Sequence, residues 1–181
     1  MNHLQDQHYR RYLIHILVVL IFLAYLASAN YIFCYLLTVD GEARICDIDI
    51  PIETGDIRYS IDSVETQKID WKNMIVIKGW AFIEGTDAYN SSTYIVLKKG
   101  TEEFIFDTKM KVRPDVTQYF NATQLDLNES GFQSNIPLEC VSDGTHRIGI
   151  IICKDGTSRA PHYVQTAYIA KDGINVELRV G

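Results

Sequence analysis

Short stretches of alternating apolar and polar residues, separated by glycine turns, determine which folds are open to this chain of 181 residues. The clearest stretch is INVELRV at residues 174–180, which alternates without a break. A period of two places every apolar side chain on one face of an extended strand. Such a strand must cover its apolar face with a second layer of structure. The pattern therefore predicts sheets packed on each other.

Further stretches have the same character and are bounded by turn residues. They are IRYSIDSV, MIVIKGWAFIE, TYIVLKK, EFIFDTK, SGFQSNIPL, HRIGIIIC and YVQTAYIAK. Dipeptides that supply the positive φ of tight turns separate several of them, at Lys99-Gly100, Asp143-Gly144, Asp155-Gly156 and Asp172-Gly173. About eight strands over some 125 residues predict an all-β fold. We expect an antiparallel β-sandwich over residues 57–181, either immunoglobulin-like or carbohydrate-binding-module-like.

One long segment, RPDVTQYFNATQLDLNES at residues 113–130, interrupts the strand pattern. Its proline fixes the backbone and Asp115 is a favourable N-cap, so we expect one helical turn over residues 116–120. A connection of this length in a small sandwich is typical of a crossing from one sheet to the other. We expect Tyr119 or Phe120 to be tucked under it.

An uncharged run precedes the sandwich, over residues 12–39. As a helix, its roughly 28 residues would extend about 42 Å, against about 30 Å of membrane hydrocarbon. Arg10 and Arg11 precede the run and acidic residues dominate after it, so the positive-inside rule places residues 1–11 in the cytoplasm as a tail. The run predicts one transmembrane helix, a signal anchor at the cell membrane. A juxtamembrane linker over residues 40–56 and an extracytoplasmic sandwich would follow it.

A cleaved signal peptide is the alternative for this run. Ala27, Ser28 and Ala29 form an A-x-A site after a basic start and an apolar stretch, so cleavage would follow Ala29. The sequence stays apolar beyond that point, through NYIFCYLLTV, which favours the uncleaved anchor. Both interpretations place the C-terminal domain outside the cytoplasm.

Cysteines beyond the run stand at Cys46, Cys140 and Cys153. An oxidising compartment permits one disulfide among them and leaves one thiol over. Cys140 with Cys153 is the candidate pair, because these residues flank a predicted strand and its preceding turn. The alternative is three buried small apolar side chains without a bridge.

Charge and motif content exclude several classes of function. Residues 40–181 carry 15 basic and 22 acidic side chains, a net charge of about −7, and no basic stripe. The domain should therefore repel anionic polymers, and we expect no nucleic-acid partner. His146 and His162 lie in none of the nucleophile-elbow, zinc-protease or Cys-His patterns. We expect no catalytic residue and no cofactor.

The stretch DLNESG resembles the start of a calcium loop, with Asp126, Asn128 and Ser130 at the appropriate spacing. The complete loop needs a bidentate acid at its twelfth position, which here is Pro137. We therefore expect no metal site, and these three residues form only a weak candidate for a shorter calcium-binding turn.

Sequons for N-glycosylation occur in polar stretches, at Asn90, Asn121 and Asn128. In a eukaryotic secretory pathway these asparagines would be glycan acceptors, whereas in a bacterium the pattern carries no such meaning.

Aromatic side chains are the candidate ligand-binding groups, namely Trp71, Trp80, Phe82 and Tyr94. Trp80 and Phe82 share one face of a strand whose opposite face is rich in isoleucine. With an unbroken register, the aromatic face looks outward or lies beneath a loop, and Tyr94 on the following strand would extend it into one glycan-binding surface. A bulge at Gly79 would instead turn Trp80 into the core, the outcome that a glycine within a strand favours.

The motifs IVIKGWAFIEG, YIVLKKG, FDT, RPDVT, SGF and DGTHRIGI occur in this order over residues 57–170. With them the chain resembles a β-sandwich module of bacterial cell-envelope membrane proteins. Such modules look like accessory domains of polysaccharide or teichoic-acid synthesis and glycosyl-transfer proteins, or stand alone behind one transmembrane helix. The resemblance implies an envelope location and brings no catalytic residue.

The sequence thus predicts a non-enzymatic, membrane-anchored envelope protein whose sandwich is an accessory or binding module for a cell-envelope glycan. One alternative is a structural or assembly subunit that docks a membrane glycan-synthesis enzyme. Another is an envelope hydrolase whose catalytic residues assemble only in the fold.

Overall fold

The structure, a computed structural model, describes residues 15–24, 41–120, 124–154 and 161–179. The chain divides into two compact units, Met1–Thr38 and Val39–Gly181. In the first unit residues 15–24 are helical (α1), and their large apolar side chains are exposed. Within the described ranges, no helix has both the length and the apolar character needed to cross a membrane. The rest of the transmembrane helix predicted over residues 12–39 lies outside the described residues.

The second unit is an antiparallel β-sandwich, as predicted. Its described strands are β1 (Ile57–Ile69), β2 (Lys72–Ile83), β3 (Ser91–Lys99), β4 (Glu102–Asp107), β5 (Lys109–Lys111), β6 (Gly131–Pro137), β7 (Gly144–Lys154), β8 (His162–Asp172) and β9 (Asn175–Arg179). Sheet I has the order β1-β2-β6-β5, and sheet II has the order β4-β3-β7-β8-β9. Helix α2 (Pro114–Tyr119) and two 3₁₀ turns (Asn128–Ser130 and Leu138–Cys140) complete the described elements of this unit.

The core between the sheets comes from the strand residues that alternate inward. β-branched side chains dominate it because they pack well on a pleated surface. The largest contributors are Ile75, Ile77, Ile95, Leu97, Phe106, Phe132, Ile136, Ile148, Ile150, Ile152 and Ile169. This alternation leaves the other face of each sheet to be covered by something else.

Residues 41–56 are not the free linker that the sequence predicts, because they bind along the sandwich. The Ala43 amide donates to the Asn135 carbonyl of sheet I at 2.8 Å, and the Cys46 amide donates to the Ile105 carbonyl of sheet II at 2.8 Å. Farther on, the Thr54 amide donates to the Tyr163 carbonyl of β8 at 2.9 Å. The segment therefore passes from sheet I to the β4 edge and across the outer face of sheet II. We call residues 41–56 the strap.

The strap covers apolar side chains on the outer face of sheet II. Cys46, Ile48 and Ile50 alternate towards the sheet and pack against a buried cluster of Val96, Ile105, Ile151 and Tyr163. Burial raises the pKa of the Cys46 thiol. The prediction of a separate linker was wrong because a half-apolar segment next to an apolar sheet face is stabilised by lying on it.

The predicted bridge between Cys140 and Cys153 is absent from the structure. Cys140 packs against the core between the sheets, and burial raises the pKa of its thiol. Cys153 packs against the cluster under the strap, on the outer face of sheet II. The two side chains thus lie on opposite faces of sheet II, Cys140 from the turn before β7 and Cys153 from the far end of β7.

Candidate functional site

The register of β2 places Trp80 and Phe82 on the outer face of sheet I. Trp80 pairs with Ser60 on β1 and Gly131 on β6, and the pairing of β2 with β6 runs without a shift. The bulge lies instead on β1, between Ile61 and Ser63. The prediction that a bulge at Gly79 turns Trp80 into the core was therefore wrong.

Gly79 has a different role, which is to permit close approach of neighbouring groups. A Cβ at this position would collide with the Ser60 carbonyl oxygen and lie 2.8 Å from Cζ of Phe132. The glycine thus lets β1 and the core ring of Phe132 close on β2.

A cover formed by α2 and the residues around it lies over the aromatic face of β2. The connection between β5 and β6 starts and ends in sheet I, so the predicted crossing to the other sheet is wrong. The predicted helical turn is present as α2, but its N-cap is Arg113 and not Asp115, and no side chain caps it. Phe82 of β2 is buried against Val116 and Leu127 of this cover.

The cover and the strand below it form a cluster of four aromatic rings. The centroid of Phe120 lies 5.5 Å from that of Trp80 and 5.1 Å from that of Phe82, both edge to face. The rings of Tyr119 and Phe120 are 5.0 Å apart, and those of Trp80 and Phe82 are stacked at 5.8 Å. These separations are in the range that favours aromatic pairs. We call Trp80, Phe82, Tyr119 and Phe120 the aromatic cluster.

Exposure differs sharply within the aromatic cluster. Tyr119 is 78% exposed and Phe120 is 38% exposed, whereas Phe82 is 5% exposed and Trp80 is half-buried. The cluster therefore combines a buried base with rings that face solvent. The sequence predicts Trp80 and Phe82 as ligand-binding residues. It places Tyr119 or Phe120 under a connection and does not identify either as part of a site.

An ion-pair network stands beside the rings. Nη1 of Arg113 lies 2.5 Å from Oδ2 of Asp62, and Nη2 lies 2.7 Å from Oδ2 of Asp115. The hydrogen bonds that Arg113 donates to Asp115 are the main cause of the raised pKa of Arg113, and the same bonds lower the pKa of Asp115. Asp62 is the extra residue of the β1 bulge, and a bulge commonly re-aims a side chain in this way. We call Asp62, Arg113 and Asp115 the Arg113 network.

Two neighbouring clefts open beside the aromatic cluster. The first, the Trp80 cleft, has a volume of about 410 Å³ and is lined by Ser60, Trp80, Asp115, Val116, Tyr119 and Phe120. The second, the Phe82 cleft, has a volume of about 500 Å³ and is lined by Arg58, Phe82, Glu84, Phe120, Leu125 and Leu127. Both have the apolar walls and few polar groups typical of small-molecule sites.

The other two predicted aromatic residues lie elsewhere. Trp71 is in the turn between β1 and β2, 53% exposed, with Nζ of Lys72 5.0 Å from its ring centroid. It stands about 30 Å along β2 from Trp80, judging from the rise per strand residue. Tyr94 is on β3 in sheet II and packs against the cluster under the strap. The predicted single surface joining Tyr94 to Trp80 is therefore wrong, because their strands belong to different sheets.

Two of the three calcium candidates, Asp126 and Asn128, are hydrogen-bonded within the protein, whereas the buried Ser130 hydroxyl has no hydrogen-bond partner among the described residues. Oδ1 of Asp126 accepts a hydrogen bond from the Asn128 amide at 2.9 Å, and Oδ1 of Asn128 accepts one from the Thr117 hydroxyl at 3.0 Å. The Ser130 side chain is fully buried. Across the described ranges, no three His, Cys, Asp or Glu side chains are grouped to hold a metal ion. Asp126 and Asn128 hold the cover in place, because the Asp126 carbonyl also accepts from the Ala88 amide at 2.8 Å and Asn128 binds Thr117 of α2.

The sequons differ in accessibility. Asn90 is exposed in a turn with a φ of 54°, whereas Asn128 is half-buried and its side chain is hydrogen-bonded as described. Asn121 lies outside the described residues.

Both histidines of the second unit make contacts within the protein. Nε2 of His146, which is buried, lies 2.7 Å from the Ser142 carbonyl oxygen. Nδ1 of His162 lies 2.8 Å from Oδ2 of Asp56 and so joins the end of the strap to β8. Burial acts to raise the pKa of Asp56, but hydrogen bonds from Thr54 and His162 outweigh it, so this pKa is lowered.

Comparisons with protein-family models, with curated proteins and with solved structures gave no match for this chain. The resemblance to envelope modules therefore stays a prediction from the sequence motifs. The aromatic cluster and the Arg113 network together form the candidate binding site.

Proposed function

We propose that the second unit is a non-enzymatic glycan-binding module and that the aromatic cluster with the Arg113 network is its binding site. The observation that carries the proposal is the Trp80 cleft, where aromatic rings and the Asp115 carboxylate line the same open space. The aromatic rings and the carboxylate match the two kinds of surface that a sugar presents.

The chemistry of a sugar ring explains why this combination suits it. Its C–H groups form apolar faces that pack on aromatic rings, and its hydroxyl groups donate hydrogen bonds to carboxylates. Arg113 fixes the orientation of Asp115 through contacts of Nε with Oδ1 at 2.9 Å and Nη2 with Oδ2 at 2.7 Å. A carboxylate oxygen has two lone pairs, so Asp115 keeps acceptor capacity for a ligand.

Binding to a glycan array and a polysaccharide pull-down with the purified chain test this site. Tyr119→Ala should lower the affinity at least tenfold without a change in melting temperature, because Tyr119 is mostly exposed. Trp71→Ala is the matched variant, since it removes an exposed aromatic ring from the far end of the sheet. Retained binding by Tyr119→Ala together with lost binding by Trp71→Ala would place the site at the Trp71 end of sheet I and contradict the position proposed here. Absence of binding to every glycan would refute the function itself.

We further propose that residues 12–39 anchor the module in the cell membrane with the N-terminus in the cytoplasm. The support is the uncharged run after Arg10 and Arg11. The intact mass of the membrane-extracted protein tests this, and the mass of the full chain is expected. A mature chain that begins at Asn30 would show cleavage and exclude the anchor.

A further inference from the structure

We propose that the ligand is an uncharged, linear glycan that lies along β1 and places neighbouring sugar units in the Trp80 cleft and the Phe82 cleft. This inference rests on the proposed glycan-binding function and adds the number of subsites and the charge of the ligand. It follows from the positions of the two clefts on the sheet.

The clefts repeat with the period of the strand. Ser60 of the Trp80 cleft and Arg58 of the Phe82 cleft stand two residues apart on β1, a separation of about 7 Å on one face. Trp80 and Phe82 repeat in the same way on β2, and their rings are stacked with an interplanar angle of 21°. Phe120 lines both clefts and stands between them. Each cleft thus has one ring from β2 and shares the ring of Phe120, at a spacing near the length of one sugar unit.

The path along the clefts is open at the side. In sheet I, β1 is the edge strand, with β2 as its neighbour in the described order. Side chains of β1 line both clefts, so a chain molecule can lie over them without meeting a further strand of that sheet. This geometry suits a linear polymer bound along its length more than a single enclosed sugar.

The charged groups around the clefts favour an uncharged ligand. Arg113 is already shared by two carboxylates, and Arg58 pairs with Glu84 at 2.6 Å. Both guanidinium groups beside the clefts are therefore compensated, and the five side chains together carry one net negative charge. A uronate or phosphate group would meet carboxylates there, in a unit whose net charge is already negative.

The test uses an array of neutral hexose and N-acetylhexosamine oligomers of one to four units, with uronate oligomers of the same lengths. Affinity for the neutral ligand should rise at least tenfold from one unit to two or three, and the uronate series should not bind. Glu84→Ala should lose this gain, because the Glu84 side chain lines the Phe82 cleft. Glu84 and Arg58 are both more than half exposed, so the fold should tolerate the change.

Glu103→Ala is the matched control, because it breaks another exposed ion pair, with Lys98 on sheet II, away from both clefts. Equal affinity for one and three units, or an unchanged gain in Glu84→Ala, would overturn the two subsites and leave the proposed function standing. Uronate binding that Tyr119→Ala abolishes would overturn the uncharged ligand but keep the site. If no oligomer of any kind binds, the proposed function fails together with this inference.

Discussion

Truncation of the strap side chains Ile48 and Ile50 to alanine should destabilise the sandwich although both lie outside the strands. Complete burial of an isoleucine side chain contributes about 1.5–3 kcal/mol relative to exposure. Both residues are half-buried, so each truncation should cost about 1 kcal/mol. The double substitution also uncovers Val96 and Ile151, which are fully buried. We therefore expect a total loss of about 2–3 kcal/mol.

Thermal and urea unfolding followed by tryptophan fluorescence measure this loss. In a unit of this size, 1 kcal/mol corresponds to a shift of about 3–4 °C in melting temperature, so the double variant should melt roughly 6–12 °C lower. Asp47→Ala with Asp49→Ala is the matched control, since these side chains alternate with the isoleucines and point to solvent. Their removal should change the melting temperature by less than about 2 °C.

The comparison of the two double variants is decisive. If the isoleucine pair costs no more than the aspartate pair, the strap does not pack on sheet II. Residues 41–56 would then be the linker that the sequence predicts, and the sandwich would begin at β1.

Two further predictions concern a close approach and an ion pair. Gly79→Ala should destabilise the unit by about 1–3 kcal/mol in urea unfolding, because the added Cβ collides with the Ser60 carbonyl. Gly100→Ala is the control, because Gly100 has a φ of 61° and open space around it, and it should cost about 1 kcal/mol. Equal costs for the two variants would contradict the packing argument. The hydrogen bond from Lys171 is the main reason that the pKa of Asp143 is lowered, so the carboxylate stabilises the fold fully above about pH 4 and less as the pH falls towards its folded-state pKa. Asp143→Asn should flatten the fall in melting temperature between about pH 4 and pH 2, and an unchanged slope would show that this pair does not form.

The architecture could be predicted from sequence because alternation is a local signal. Inward positions of β2, such as Ile75 and Ile77, are visible as every second residue, and the structure buries them completely. The strap shows the same period in Cys46, Ile48 and Ile50. The sequence alone predicts a linker there because acidic residues interrupt the apolar pattern, and because the partner surface belongs to strands about 45 or more residues later.

The placement of the aromatic residues depended on contacts between distant parts of the chain. Whether β3 joins β2 or the other sheet is a matter of topology, and it separates Tyr94 from Trp80. A glycine within a strand can mark a bulge or a close approach, and the sequence does not show which applies at Gly79 or which of two paired strands carries an extra residue. The bulge residue, Asp62, pairs with Arg113, which is 51 residues later.

Small residues beside Trp80 explain why a cleft exists there at all. Its partners in the sheet are Ser60 and Gly131, so neither neighbouring strand fills the space next to the indole. A Cβ on Gly131 would lie 2.5 Å from Cγ of Arg113 and 2.6 Å from the Lys111 carbonyl oxygen. The glycine therefore lets Arg113 lie against the start of β6 and reach Asp62. Gly131 thus both leaves space beside the ring and lets the Arg113 network form, so the aromatic and polar halves of the proposed site are preorganised together.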